Sequence, residues 1–399
     1  RRGIDMAWVE KRGQRWQGRY RDANGKIRVA ASSTSKREAK RMADDKESEV
    51  RRGVWHDPSA GRIKFSEYFE DHWLPNRVGE SNTIATYRSH YRSTLQPAFG
   101  DMEIRRITSP VVQRWVVAMQ KEGMKPSTIQ AKYKALATIL GARKGVSAVR
   151  DGLIQRSPCE GIDLPTMDQR EVDVYTVEEV DRLMSEIPES WRALPLLAAD
   201  TGMRWGELMG LQVSDFSTGF TVVTIRRTVT EISRKDTGAP TPYMVKERPK
   251  SGKSRAVTLG VEAAAMIAEL VRDRGLYPGD RLFSMLDRHG KPVRTPEWPG
   301  GLPVGRSYFR ERIWRPANAR AGVKARRFHD LRGCHISWML AGGADVVTVM
   351  TLAGHRNLST TQMYISAMGD AGARGRLALE ATRRLARRHV ESDARTDRP

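Results

Sequence analysis

Between His329 and Tyr364 the chain sets out, in order, a histidine and an arginine three residues apart, a Gly354-His355 pair, and a tyrosine nine residues past that second histidine. Residues three apart share one face of a helix, so His329 and Arg332 can both address a single anion. Tyr364 supplies a phenol oxygen that can attack phosphorus. The stretch reads as a phosphate clamp followed by a nucleophile. Taken singly, Tyr364 reads more readily as a half-buried helix aromatic and His355 as a satisfied loop histidine. Their joint occurrence with a second arginine earlier in the chain reverses that reading.

That arginine is Arg204, in Thr201-Gly202-Met203-Arg204-Trp205-Gly206-Glu207-Leu208. The preceding helix is apolar along much of its length and belongs in a core, and Gly202 permits the turn that takes Arg204 off the helix line. Strand-like alternation follows at 220–226, 243–246 and 255–259, and the last two segments flank Arg248-Pro249-Lys250-Ser251-Gly252-Lys253-Ser254, a turn with a basic tip. From Val261 the pattern is helical, interrupted by a Gly/Pro-rich loop from Arg288 to Gly305. After Tyr364 a glycine-containing link leads to a short basic amphipathic helix, which can pack on its own domain or on a neighbouring subunit, and then to a polar tail.

The first half has its own organisation. Short alternating runs around Trp8, Trp16 to Tyr20 and Ile27 to Ala30, with Asn24-Gly25 between the last two, predict a three-stranded sheet with a hairpin. Ser35 and Glu38 open a charged helix as a capping box that Gly53 can end. Trp16, Arg19 and Arg21 lie in or beside the hairpin and suggest a minor DNA-binding module. Beyond a loop at 56–61, apolar stripes at Phe65 to Trp73, Ile84 to Leu95 (stopped by Pro97), Val112 to Met119 and Ile129 to Leu140 predict four helices of one bundle. Ser109 and Ser127 are the expected caps of the last two. The aromatic stripes read as core. Arg88, Arg92, Lys125, Lys132, Lys134, Arg143 and Lys144 lie between them and are expected to face phosphates. The aperiodic stretch 157–174 carries the main boundary, and Thr176 with Glu179 caps the next helix.

A chain of 399 residues can bury at least two cores. Lys and Arg total 69 against 47 Asp and Glu, a formal charge of +22, which points to a polyanionic partner without naming a reaction. Cys159 and Cys334 are the only cysteines and have no ligand spacing, so a reducing cytoplasm and no structural zinc are expected. No apolar run approaches the ~20 residues that span a bilayer, and the basic start lacks a signal-peptide core. No membrane association is expected.

In this ordered set of motifs the chain resembles the tyrosine recombinases, in particular the integrases of temperate phages and integrative elements. The first box of that family has the pattern Thr-Gly-x-Arg-x-x-Glu-Leu, matched at 201–208. Its hairpin lysine, in a Pro-Lys-Thr/Ser turn before a Ser-x-Arg strand, is matched by Pro249-Lys250-Ser251 ahead of Ser254-Arg255, with Lys253 a close competitor. Its second box is matched by His329-Asp330-Leu331-Arg332, Gly354-His355 and Tyr364 after Ser359-Thr360-Thr361. Gly333 and Cys334 depart from it, standing where the family often has a histidine and a small hydroxyl residue. By resemblance the active-site positions are Arg204, Lys250, His329, Arg332, His355 and Tyr364.

The resemblance implies a multidomain, mainly helical fold with small β-sheets. Its expected parts are an arm-type DNA-binding domain at 1–56, a helical core-binding domain at 63–160, a mixed α+β catalytic domain at 172–390 and a tail at 391–399. It implies a site-specific DNA recombinase that works as a homotetramer through a 3′-phosphotyrosine and a Holliday junction on core-type and arm-type attachment sites. A DNA-bending host factor and an excisionase are further expected partners, in the cytoplasm and nucleoid of a bacterial host. Because the phosphoester energy stays in the tyrosine link, neither ATP, metal nor other cofactor is expected. The alternatives are a type IB topoisomerase, which religates the same strand, and a non-catalytic DNA-binding regulator.

Overall fold

The computed structural model describes residues 7–53, 57, 60–141, 145–167, 173–232, 241–247, 254–355 and 361–364. The chain divides into two compact units, Arg1–Asp168 and Gln169–Pro399. Each has its own buried core.

The first unit opens with an antiparallel sheet of β1 (Trp8–Arg12), β2 (Arg15–Arg21) and β3 (Ile27–Ser33), covered by α1 (Lys36–Arg51). At the hairpin, Asp22 Oδ1 accepts the N–H groups of Asn24 and Lys26 (3.0 and 2.9 Å) and Gly25 takes φ 78°. The sheet can approach α1 because residue 18 is glycine: a Cβ there would lie 2.0 Å from the Ala39 carbonyl oxygen. Ser35 caps α1, yet the Glu38 carboxylate accepts from the Ser33 hydroxyl (2.5 Å) instead of completing a capping box.

The bundle comprises α2 (Phe65–Glu67, continuing as a π turn over Tyr68–Trp73), α3 (Ser81–His90, through a π turn at Tyr91–Leu95 to Gln96–Phe99), α4 (Ser109–Lys121) and α5 (Pro126–Leu140). Phe65, Tyr68, Phe69 and Trp73 are at most 1% exposed, so the aromatic stripe is core. Pro97 does not stop α3: the π turn just before it re-routes the backbone bonds, and the helix runs on to Phe99. Thr108 and Lys125 are the cap positions of α4 and α5, and neither Ser109 nor Ser127 caps by its side chain.

In the second unit, Thr176 and Glu179 form a complete capping box on α6 (Val177–Glu186). There follow α7 (Glu189–Thr201), α8 (Trp205–Gly210), four short strands β4 (Val222–Ile225), β5 (Thr228–Glu231), β6 (Tyr243–Lys246) and β7 (Arg255–Thr258), and α9 (Val261–Arg274). β5 is a strand that the sequence pattern missed. The pairing also differs from a simple hairpin about the basic turn: β4 pairs with β7 and β5 with β6, both antiparallel. α10 runs Arg306–Phe309, Arg310–Trp314 (a π turn) and Arg315–Arg320, and α11 (Asp330–Ala341) and α12 (Val346–Ala353) complete the unit. A last helical turn covers 361–364. The predicted C-terminal helix lies outside the described residues.

Candidate active site

Arg204 is presented by a sharp break between helices. α7 ends at Thr201, Gly202 adopts φ 62°, ψ 19°, and Arg204 is the extended N-cap of α8. Glycine is required at 202 twice over, by the left-handed backbone and because a Cβ there would fall 2.6 Å from the His335 ring. Arg332 sits in the first turn of α11, only 4% exposed. Its Nη1 donates to the Gly202 carbonyl (2.6 Å) and its Nη2 to the Ala353 carbonyl. Arg204 Nη2 donates to the next carbonyl, Gly354 (3.0 Å), and Arg255 Nε to the preceding one, Leu352 (2.8 Å). Three guanidiniums thus hold three successive carbonyls at the C-terminus of α12, where backbone acceptors lack helical partners and the helix dipole is negative. Gly354, at φ 65°, closes that terminus.

Glu207, 1% exposed, ties two of these arginines together. Its Oε1 accepts from Arg204 Nη1 (3.0 Å) and Arg255 Nη1 (3.1 Å), and its Oε2 from Arg255 Nη2 (2.7 Å) and the Arg204 backbone N–H (3.0 Å). Burial works to raise the Glu207 carboxyl, but Arg255 and Arg204 outweigh it and hold it below the usual carboxylate range. Among the described residues, three guanidiniums face this one carboxylate. The excess positive charge suits an anion. Burial, and then the charge of Arg204, depress the Arg332 guanidinium, a cost that an incoming phosphate would relieve.

The two histidines are neutral at pH 7. His355 is pushed down to about 4, by burial first and then by Arg332, Arg204 and Arg255; its Nδ1 shares a hydrogen bond with the buried Thr361 hydroxyl (2.8 Å). That bond links Gly354-His355 to the turn that carries Tyr364. His329, at the N-cap of α11 with an open edge, is lowered by the surrounding protein and by Arg332, against Asp330. A neutral histidine can take a proton. Tyr364 is partly buried on α11, and burial raises its phenol against the lowering pull of Arg332. The phenol is therefore protonated at rest. Lys250 and Lys253 lie outside the described residues, as do Ser359 and Thr360.

Glu207 and Arg255 join the site although no role was read for them from sequence. The signal was present: Glu207 stands three residues after Arg204, the spacing of a helical ion pair, and Arg255 starts a strand directly after the basic turn. His335 is buried, its Nδ1 donating to the Ala199 carbonyl (3.2 Å), and has a packing role.

The residues expected to meet DNA are distributed unevenly. Strand alternation puts Arg19 and Arg21 on one face of β2, while Trp16, Gly18 and Tyr20 face the α1 side. Trp16 there has Lys36 Nζ 5.1 Å and Lys11 Nζ 5.8 Å from its ring centre. Arg19 pairs with Glu10 (3.0 Å), and Arg21 Nη1 donates to the Gly25 carbonyl (3.3 Å). In the bundle, Arg92, Lys125 and Lys134 are exposed and Arg88 is partly so. Lys132 departs from the expectation. It is 8% exposed and turns inward, its ammonium donating to the hydroxyls of Ser93 and Thr94, because its position on α5 falls on the face packed against α3. Arg143 and Lys144 lie outside the described residues. Both cysteines are free and buried, no described helix is long and apolar enough to cross a membrane, and no His/Cys/Asp/Glu cluster able to hold a metal occurs among the described residues.

Two family profiles match the chain: the phage integrase family over residues 173–369, and the phage integrase N-terminal SAM-like domain over residues 64–120. The integrase of Mycobacterium phage L5 is 26% identical over 333 residues, 82% of this chain and 81% of that protein. A XerC-like tyrosine recombinase of Caldanaerobacter subterraneus subsp. tengcongensis is 27% identical over 359 residues, 86% of this chain and 88% of that protein. Among solved structures, a lambda integrase tetramer bound to a Holliday junction superposes with a TM-score of 0.54 over 91% of this chain and 95% of that one, at 16% identity, a likeness of fold. The chain belongs to the phage integrase family of tyrosine recombinases. It is a site-specific recombinase.

Proposed function

We propose that Tyr364 is the nucleophile of this recombinase and that Arg204 and Arg332 clamp the scissile phosphate. The observation that carries this reading is the convergence of both guanidiniums on adjacent carbonyls, Gly354 and Ala353, beside His355. Attack by the Tyr364 oxygen forms a 3′-phosphotyrosine bond and breaks the P–O5′ bond. Charge that develops on the nonbridging oxygens falls on fixed guanidinium donors. The phenol proton passes to neutral His329, and Lys250 protonates the departing 5′-oxygen; His355 supports the clamp as a donor. Rejoining reverses these steps with a different 5′-hydroxyl, so the number of phosphoester bonds is conserved.

In this reading residues 1–56 bind arm-type sites through the open face of the sheet, with Arg19 and Arg21 on that face. The bundle within 63–160 contacts core-type sites through Arg88, Arg92, Lys125 and Lys134, and 172–390 carries out the chemistry. Four copies act on two duplexes through a Holliday junction, to integrate or excise a phage or mobile element. A DNA-bending factor and an excisionase would set direction. The test is a pair of duplexes carrying the sequences that flank the coding region, one of them nicked to trap the covalent species. Adducts together with strands exchanged between the duplexes are expected; adducts without exchange would indicate a topoisomerase, and no adduct on any flanking sequence would remove the enzymatic assignment of Tyr364.

A further inference from the structure

The Tyr364 ring lies over Gly333, which belongs to no catalytic motif, and Val174 approaches the same point of the helix. Gly333 follows Arg332 inside α11 and is buried. A Cβ built on Gly333 would stand 3.3 Å from Tyr364 Cε1, 3.6 Å from the Tyr364 hydroxyl oxygen and 3.0 Å from Val174 Cγ1. The phenol and the valine methyl close on the same point of the helix surface, so that a methyl at residue 333 would push both back by a few tenths of an ångström. Glycine is a poor residue inside a helix. Its use one residue beyond Arg332 therefore answers to packing.

Val174 is pinned on both sides. Before it, the Asp173 carboxylate pairs with Lys324 Nζ (2.6 Å) and Arg326 Nη2 (2.7 Å), which hold it below the usual carboxylate range. After it, Tyr175 is fully buried, donates its hydroxyl to Asn318 Oδ1 (2.5 Å), accepts from the Arg326 backbone N–H (3.2 Å) and carries the Arg326 guanidinium over its ring at 4.7 Å. The opening residues of the second unit are thus fastened to the segment that leads into His329 and Arg332.

We infer that Gly333 and Val174 form the seat of the Tyr364 ring and are positioning residues for the nucleophile. The inference rests on Tyr364 being that nucleophile. A ring backed by the helix surface at Gly333, with the pinned valine closing on the same point, keeps its oxygen near Arg332 instead of sweeping free, and a displacement of ~1 Å from the reacting geometry can cost on the order of a hundredfold in rate.

The full-length protein tests this with Gly333→Ala, Val174→Ala, the double variant and Tyr364→Phe, each measured for melting temperature, affinity for duplex DNA and single-turnover adduct formation on a nicked duplex. Gly333→Ala should change the melting temperature little, since the helix preference of alanine offsets the crowding of Val174 and Tyr364, and leave DNA affinity unchanged, while slowing adduct formation about tenfold or more. Val174→Ala alone should slow it severalfold. In the double variant the methyl at 3.0 Å is gone, so the two effects should be markedly less than additive. A wild-type rate for Gly333→Ala, strict additivity, or a rate loss accompanied by lost melting temperature and DNA binding would each overturn the seat. If Tyr364→Phe still forms adducts, the nucleophile assignment itself fails; if it is inert while Gly333→Ala is normal, only the seat fails.

Discussion

Replacing Glu207 by glutamine should damage both the stability of the second unit and its chemistry. The carboxylate accepts four hydrogen bonds, from two guanidiniums and a backbone N–H, at 2.7 to 3.1 Å. Glutamine accepts through one oxygen and points an amide donor where the other oxygen was, so two bonds are lost and two guanidiniums keep their charge without a counter-ion. Charged hydrogen bonds are worth about 1.5–3 kcal/mol each, and breaking a buried pair costs about 3–5 kcal/mol. Arg204 is 27% exposed and can recover part of its hydration, which favours the lower end, about 3 kcal/mol. For a unit of this size that loss lowers the melting temperature by about 6–12 °C. Because the Glu207 carboxyl is held below its ordinary value, its contribution is complete at neutral pH and fades only as pH falls below about 4.5 through the lowered value. Thermal melts at pH 7 should show the full difference, which should shrink toward pH 4. With Arg204 no longer fixed, adduct formation should fall about a hundredfold. A Glu207→Gln variant that melts within 1–2 °C of the parent at pH 7 and forms adducts at the parent rate would refute the reasoning.

Other outcomes follow from the same contacts. Arg332→Lys keeps a charge but cannot reach the Gly202 and Ala353 carbonyls with one planar fork; single-turnover adduct formation should drop about a hundredfold with DNA affinity little changed. His335 is pushed down to about 4, by burial first and then by Arg332, so the unfolded chain takes up a proton before the folded one as pH falls from about 6.5. Stability should therefore decline toward acid by up to about 1.4 kcal/mol per pH unit from this residue, and His335→Asn should flatten the slope in a series of melts between pH 4 and 7. In the bundle, Lys134→Ala should reduce the slope of log affinity against log salt by up to about 0.9, the effect of one released phosphate contact. Lys132→Met should leave that slope unchanged, because the Lys132 ammonium is turned onto Ser93 and Thr94.

Much of the fold is legible where local chemistry decides it. Asn24-Gly25 makes the hairpin, Thr176 and Glu179 make a capping box, and the Phe65 to Trp73 stripe is core. The misses have tertiary causes. Pro97 ends a helix in isolation, but a π turn ahead of it lets α3 continue. β5 is too short to show a period, so the exchange of partners that pairs β4 with β7 could not be read. Lys132 looks like a phosphate contact until the packing of α5 turns its face inward. At the site, the motif arginines and histidines were visible as a pattern, whereas the three carbonyls that gather the guanidiniums come from the end of one helix and have no sequence signature. Gly333 stood out only as a departure from the family pattern; its reason is the ring placed against it.

The central claim, that Tyr364 becomes covalently bound to DNA, is tested most directly by trapping the adduct, digesting with trypsin and weighing the peptide that carries nucleotide. Cleavage after Arg356 and Arg374 yields a peptide, 357–374, in which Tyr364 is the only tyrosine. The nucleotide should be found on that peptide and should vanish in Tyr364→Phe. Nucleotide on any other peptide, or adduct persisting in the variant, would contradict the account.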